Sequence, residues 1–322
     1  MKRARQARAR WWPSVVGATV SAALVATAWM AFRRAEPVSA PALTELTALL
    51  KFPVEELRRV DVGLINLLSA DGLEASVKLE LSRHVAELDR VTTRVKAETD
   101  RHLPRFHRTP NEFNNSEMYF KMLCLVTVLQ QDFGIRYNPQ RAQSADGRVE
   151  PNESFYADAS DVFLHGLLGP KRSGTCASLP VLYVAVGRRL GYPLKLVTAK
   201  NHLFVRWQSE HERLNIEATT EGLTSFEDDY YRRWPFPMTP EEEQTERHLT
   251  SLSPAEELSV FLSLRTQCLL AAGRWDEALS SQEQVCRLAP YSENQQEILE
   301  RLRSQTKQLD RIHRNRQTAL NL

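Results

Sequence analysis

Only one part of this chain is written for β structure. Three short apolar and β-branched runs follow one another: "PLKLVTA" at 193–199, "HLFVRW" at 202–207 and "ERLNIEAT" at 212–219. Turn and polar residues punctuate them, as strand ends require. A chain of 322 residues with so little strand sequence must build most of its core from helices.

Helical periodicity fills the rest. Leu57, Val60, Leu64 and Leu67 recur at spacings of three and four, and Leu81, Val85, Leu88, Val91 and Val95 continue the pattern. These stripes are polar on one side and need a partner surface. Residues 116–135 predict another helix, capped by Ser116. The stretch 136–154 is polar and turn-rich, and 154–169 reads as a short helix or an irregular segment. An apolar helix begins near "SGTC" and stops at Gly191. "YYRRWPFPMTP" (230–240) reads as a proline-rich linker, after which the chain is helical. Thr239 with Pro240, and Ser253 with Pro254 and Glu256, mark two helix starts.

The N-terminus has its own character. "MKRARQARAR" carries five basic side chains and no acid, and residues 11–32 carry no charge. At about 1.5 Å per residue that run can cross a hydrocarbon core of about 30 Å. Trp11, Trp12 and Trp29 sit near its ends, where amphipathic rings favour the interface. The expectation is a single-pass inner-membrane anchor in residues 1–34, with the main domain periplasmic. A cleavable signal peptide ending at "VSA" (38–40) is the other reading; Arg33, Arg34 and Pro41 favour retention. A net charge of +2 is too small to imply a nucleic-acid partner.

Four cysteines occur: Cys124, Cys176, Cys268 and Cys286. Cys268 and Cys286 fall near the ends of successive antiparallel helices, roughly 10 Å apart at 1.5 Å per residue, too far to bridge. Cys176 is the chemically interesting one. A thiolate is the nucleophile, and a helix N-terminus favours it through unpaired N–H groups and the dipole. Ser173 or Thr175 serves as the expected cap, and free N–H groups there can hold an oxyanion.

A base must reach the sulfur. His202 opens the second strand; His165 in "FLHGLL" is the one rival among the other histidines. With "QSEH" as a four-residue hairpin loop, Trp207 opposes Glu212 and His202 opposes Glu217. Directly opposed Cβ atoms lie about 5 Å apart, within reach of a carboxylate. Asn215 falls on the same face; Leu203, Val205, Leu214 and Ile216 fall on the other. A slip of one residue would turn Glu217 away. The order Cys176, His202, Glu217 therefore suits nucleophile, base and orienting acid. The competing reading is a buried thiol and a structural histidine.

At these residues the sequence resembles the transglutaminase-like superfamily, a branch of the papain-like cysteine fold. "GTCASLPVLY", "RRLGYPLKLVTAKNHLFVRW" and "NIEAT" match its helix start, strand-opening histidine and acid followed by Ala-Thr. The resemblance implies an α+β fold, with the Cys helix packed on an antiparallel sheet. It implies Cys176 as nucleophile, His202 as general base and acid, and Glu217 as orienting acid where the family usually has Asp. Residues 43–238 would be this domain. The upstream helices and the tail resemble SirB-type proteins, in which such a domain is followed by a tetratricopeptide-like end, here 239–322. Gly273, Trp275, Ala278 and Pro290 fit one such repeat, whereas Arg265 and Thr266 depart from it.

Two functions follow. One is a membrane-anchored extracytoplasmic acyl-transfer enzyme acting on peptide or protein amides, including cell-wall cross-links. The other is an inactive scaffold whose helical tail binds a protein partner. No Cys or His pair has metal-ligand spacing, and no phosphate-binding glycine loop occurs, so no cofactor is expected.

Overall fold

A computed structural model describes residues 43–73, 79–141 and 153–320. The expected basic arm and apolar span of residues 1–34, the "VSA" site, and part of the polar loop at 136–154 lie outside the described residues. Among the described residues no helix is long and apolar enough to cross a membrane.

The longer helices are α1 (Val62–Ala70), α2 (Leu81–Arg108), α3 (Glu117–Thr127), α4 (Leu179–Arg189), α5 (Pro254–Ala271), α6 (Trp275–Leu288) and α7 (Glu293–Leu320). The strands are β1 (Arg136–Tyr137), β2 (Ser173–Gly174), β3 (Leu194–Ala199), β4 (His202–Gln208) and β5 (Arg213–Ile216). The fold is α+β, as expected, with a small antiparallel sheet in the order β3-β4-β5. β1 and β2 form a separate parallel pair.

α1 is apolar on nearly every side and sits in the middle, against α2, α4 and α5. Asp61 caps it by accepting from the Leu64 N–H at 3.0 Å, and the same carboxylate accepts from Arg189 at 2.8 Å. The start of α1 is thereby tied to the end of α4. The periodic stretch before α1 is not continuous helix: Val54–Arg59 is a 3-10 turn. α2 runs through Pro104 to Arg108, well beyond the last periodic position, Val95. α3 starts at the Ser116 cap and continues into a π-helical turn, Val128–Asp132.

α4 lies on one face of the sheet, where Leu194, Leu196, Leu203, Val205 and Ile216 are buried in the main core. A second apolar cluster covers the other face: Val197, Ala199, Phe204, Tyr231 and Leu249. The edge of β3 is capped as well, since Leu249 and Leu252 donate backbone bonds to Thr198 and Leu196.

Residues 42–322 form one compact unit. The tail helices share its core instead of standing apart. Arg265 donates to the carbonyls of Ser69 and Asp71, at 2.9 and 2.6 Å, and so closes the C-terminal end of α1. That gives a reason for an arginine where a repeat would carry an apolar residue. Arg188 grips Glu257 with two bonds, joining α4 to α5.

Two short helices, Ala159–Val162 and Leu164–Leu168, pack against each other at Gly166. A Cβ on Gly166 would stand 1.8 Å from the Ser160 carbonyl oxygen, which is backbone and cannot rotate away. Gly166→Ala is expected to lower stability by about 1–3 kcal/mol through forced overpacking, read as a lower urea midpoint at unchanged slope. An unchanged midpoint would show that the two turns separate freely.

Candidate active site

The turn carrying Cys176 is held from behind. The Asp161 carbonyl accepts from the Thr175 N–H, the Thr175 hydroxyl and the Ser178 hydroxyl, at 3.0, 3.0 and 2.8 Å. The Asp161 carboxylate is fully buried and receives Asn138, Arg141 and Lys171. The cap differs from expectation in position. α4 begins at Leu179 with Ser178 before it, so Cys176 sits in the entering turn, one step ahead of the first helical turn. Thr175 organises that turn: its carbonyl accepts from Ser178 and Leu179, and its hydroxyl accepts from Ala177. Ser173 lies in β2 and does not cap.

His202 opens β4, opposite Ala199 on β3. The hairpin register differs from the expected one by two residues: Trp207 pairs with Leu214, and Gln208 with Arg213. Ser209 explains the shift, because its hydroxyl accepts from Glu212 at 3.0 Å and builds the loop around itself. β5 also ends earlier than expected, at Ile216, and Glu217 pairs instead with Thr224. An even slip leaves every side chain on its face. Glu217 therefore still reaches His202, diagonally, with Oε2 2.8 Å from Nε2.

The carboxylate is well held. Thr219 donates to Oε1 from its N–H (3.0 Å) and hydroxyl (2.6 Å), and the buried Tyr231 hydroxyl donates to Oε2 (3.3 Å). Trp234 sets its ring edge-to-face with His202 at 4.9 Å. Burial pulls the His202 imidazolium down, but the charge of Glu217, a hydrogen bond with the Cys176 side chain and the bond to Glu217 override it. The net shift is upward, to about 10. For Glu217 burial acts upward, and the His202 charge with the His202 and Thr219 hydrogen bonds holds the carboxyl below its usual range. With Nε2 on Glu217, Nδ1 is the ring nitrogen left for the sulfur.

Cys176, His202 and Thr219 line one cavity of about 720 Å³. Tyr137, Tyr156 and Trp234 line it too, as do residues of the tail such as Tyr291 and Gln295. Cys176 is partly exposed there. All four cysteines are free thiols. Burial pushes Cys124 and Cys286 up, and Cys268 up to about 12. His165 stands elsewhere, edge-to-face with His84 at 6.3 Å, and is not on the cavity wall. Among the described residues no group of three or more His, Cys, Asp or Glu side chains is placed to hold a metal ion.

Sequence reasoning missed Tyr137, Tyr231 and Trp234. The last two fall in the stretch expected to be a linker. Their signal was there: four aromatic residues in "YYRRWPF" are too apolar for a solvated connection.

Comparison with known proteins identifies the family. A family model described as the transglutaminase-like superfamily matches residues 82–262, passing the boundary expected at 238 and ending inside α5. No curated protein and no solved structure matches. The match spans more than half of the 322 residues and contains Cys176, His202 and Glu217: the chain belongs to the transglutaminase-like superfamily.

Proposed function

We propose that the protein is a cysteine-dependent acyl-transfer enzyme working through Cys176, His202 and Glu217. The Cys176 sulfur attacks an amide carbonyl carbon, His202 gives its proton to the departing amine, and water or a second amine resolves the thioester. Glu217 orients the imidazole and favours its charged form. The observation that carries this reading is the position of His202, hydrogen-bonded to Glu217 and sharing the wall of one cavity with Cys176. Peptide or protein amides, cell-wall cross-links among them, are the substrate class. The charge-free run at 11–32 with its flanking basic residues supports membrane anchoring with the catalytic part outside the cytoplasm. The tail helices offer a surface for a protein partner.

Limiting iodoacetamide at pH 6 tests the nucleophile. Cys176 is expected to be alkylated about tenfold or more faster than Cys124, Cys268 or Cys286, as located by mass spectrometry. His202→Ala should abolish the advantage. Equal labelling of the four thiols, or no effect of His202→Ala, would remove the basis for catalysis.

A further inference from the structure

An attacked carbonyl places negative charge on its oxygen, and that oxygen needs donors. The turn from Thr175 to Leu179 accounts for its N–H groups as follows. Thr175 donates to Asp161, Ala177 to the Thr175 hydroxyl, and Ser178 and Leu179 to the Thr175 carbonyl. The Cys176 N–H has no hydrogen bond among the described residues, and it is the donor nearest the sulfur along the chain. One donor rarely suffices, and a second must come from outside the turn.

Tyr137 is placed to supply it. β1 runs parallel to β2 with Tyr137 opposite Gly174, two residues before Cys176. The Asn138 N–H to Gly174 carbonyl bond, at 2.8 Å, fixes that register. The Tyr137 side chain lines the same cavity as Cys176 and His202. A half-buried tyrosine usually finds a partner for its hydroxyl, yet this one has none among the described residues.

We propose that the Tyr137 hydroxyl is a catalytic hydrogen-bond donor which, with the Cys176 N–H, holds the oxyanion formed when Cys176 attacks a carbonyl. This assignment rests on Cys176 being the nucleophile. In the step, the S–C bond forms and the carbonyl π pair moves onto oxygen, where the two donors receive it; the tyrosine keeps its proton. Collapse restores the carbonyl and expels the leaving group. The electrostatics agree. Burial, and then the charges of Cys176 and Glu217, push the Tyr137 hydroxyl upward, so it stays a donor throughout. Tyr156 also lines the cavity. What sets Tyr137 apart is its backbone, fixed by the β1–β2 pairing opposite Gly174, two residues before Cys176.

The test compares two reagents on the full-length protein and on Tyr137→Phe. p-Nitrophenyl acetate acylates a thiol through an oxyanion and releases p-nitrophenolate; iodoacetamide alkylates it by direct displacement with no oxyanion. Tyr137→Phe is expected to slow acetylation of Cys176 about 10²-fold and to leave its alkylation rate unchanged. The substitution removes a hydroxyl with no internal partner, so melting should be unaffected. Acetylation at the unsubstituted rate, an equal loss with both reagents, or a loss carried by Tyr156→Phe instead would each overturn the assignment. If the unsubstituted protein is not acetylated at Cys176 at all, the nucleophile reading itself falls, and this one with it.

Discussion

Glu217→Gln is expected to slow acylation about 10⁴-fold, the scale seen when a buried carboxylate that orients a catalytic histidine becomes an amide. The reason lies in the count of acceptors. Glu217 accepts from His202 Nε2 and Tyr231 on one oxygen, and from two Thr219 donors on the other. Glutamine has one oxygen and one NH2 group. If the oxygen stays with Thr219, the NH2 faces Nε2 and forces the ring proton onto Nδ1, the nitrogen that must take a proton from the thiol. If the oxygen turns to His202, the NH2 meets the Thr219 N–H.

The same substitution should also displace a pH dependence. In the unsubstituted protein His202 titrates near 10 when folded, against an ordinary 6.5. Its contribution to stability is then complete below pH 6.5 and is lost as pH rises towards 10. Glu217 is lowered, so its contribution is present above its usual 4.5 and is lost as pH falls through the folded value. Remove the carboxylate and burial is opposed only by Cys176, so His202 titrates lower than in the unsubstituted protein. Its contribution to stability should then be lost at a lower pH in the variant. At pH 6 it should be about 3–5 kcal/mol less stable, the cost of breaking a buried pair from one side. Urea unfolding between pH 5.5 and 10, with the His202 ring followed by NMR, checks both points. Parallel pH profiles for the two proteins would mean that Glu217 does not hold the His202 proton.

The residues of the candidate site were legible because each carries a local signal. Cys176 follows Ser-Gly-Thr and precedes an apolar run; His202 and Glu217 sit at fixed parity on neighbouring strands. Parity is robust, which is why the register could be wrong by two while Glu217 still reaches His202 diagonally. What stayed hidden depends on contacts distant in sequence. β1 and β2 are two residues each, too short for any periodicity, yet their pairing places Tyr137. Tyr231 is fully buried only because residues 226–249 fold back over the sheet. The arginines that bind the tail to α1 act through backbone carbonyls, for which a sequence has no symbol: Arg274 reaches Gly72 at 2.6 Å.

Arg206→Met should be the most damaging change outside the cavity, costing about 3–5 kcal/mol. Arg206 is 2% exposed and lies in the middle of β4. Burial pulls its guanidinium down, and Asp228 holds it charged. It donates to Asn215 (2.7 Å), to the Leu249 carbonyl (2.8 Å) and to Asp228 (2.7 Å). Those three partners lie on β5, on the segment covering the β3 edge, and on the turn leading to Tyr231. One side chain thus fastens the whole second layer to the sheet. Methionine matches its stem but leaves the Leu249 carbonyl and the Asn215 oxygen without this donor, while Asp228 keeps Arg213 and the Asn215 amide. Lysine should not rescue, because a single ammonium cannot span three divergent acceptors. The layer that loosens is the one that carries Tyr231 and Trp234 to His202, so Cys176 alkylation at pH 6 should slow along with the fall in urea midpoint. A loss under about 1 kcal/mol, the level of an exposed ion pair, or full rescue by Arg206→Lys, would show that the apolar contacts of Phe204 and Tyr231 hold this layer without the arginine.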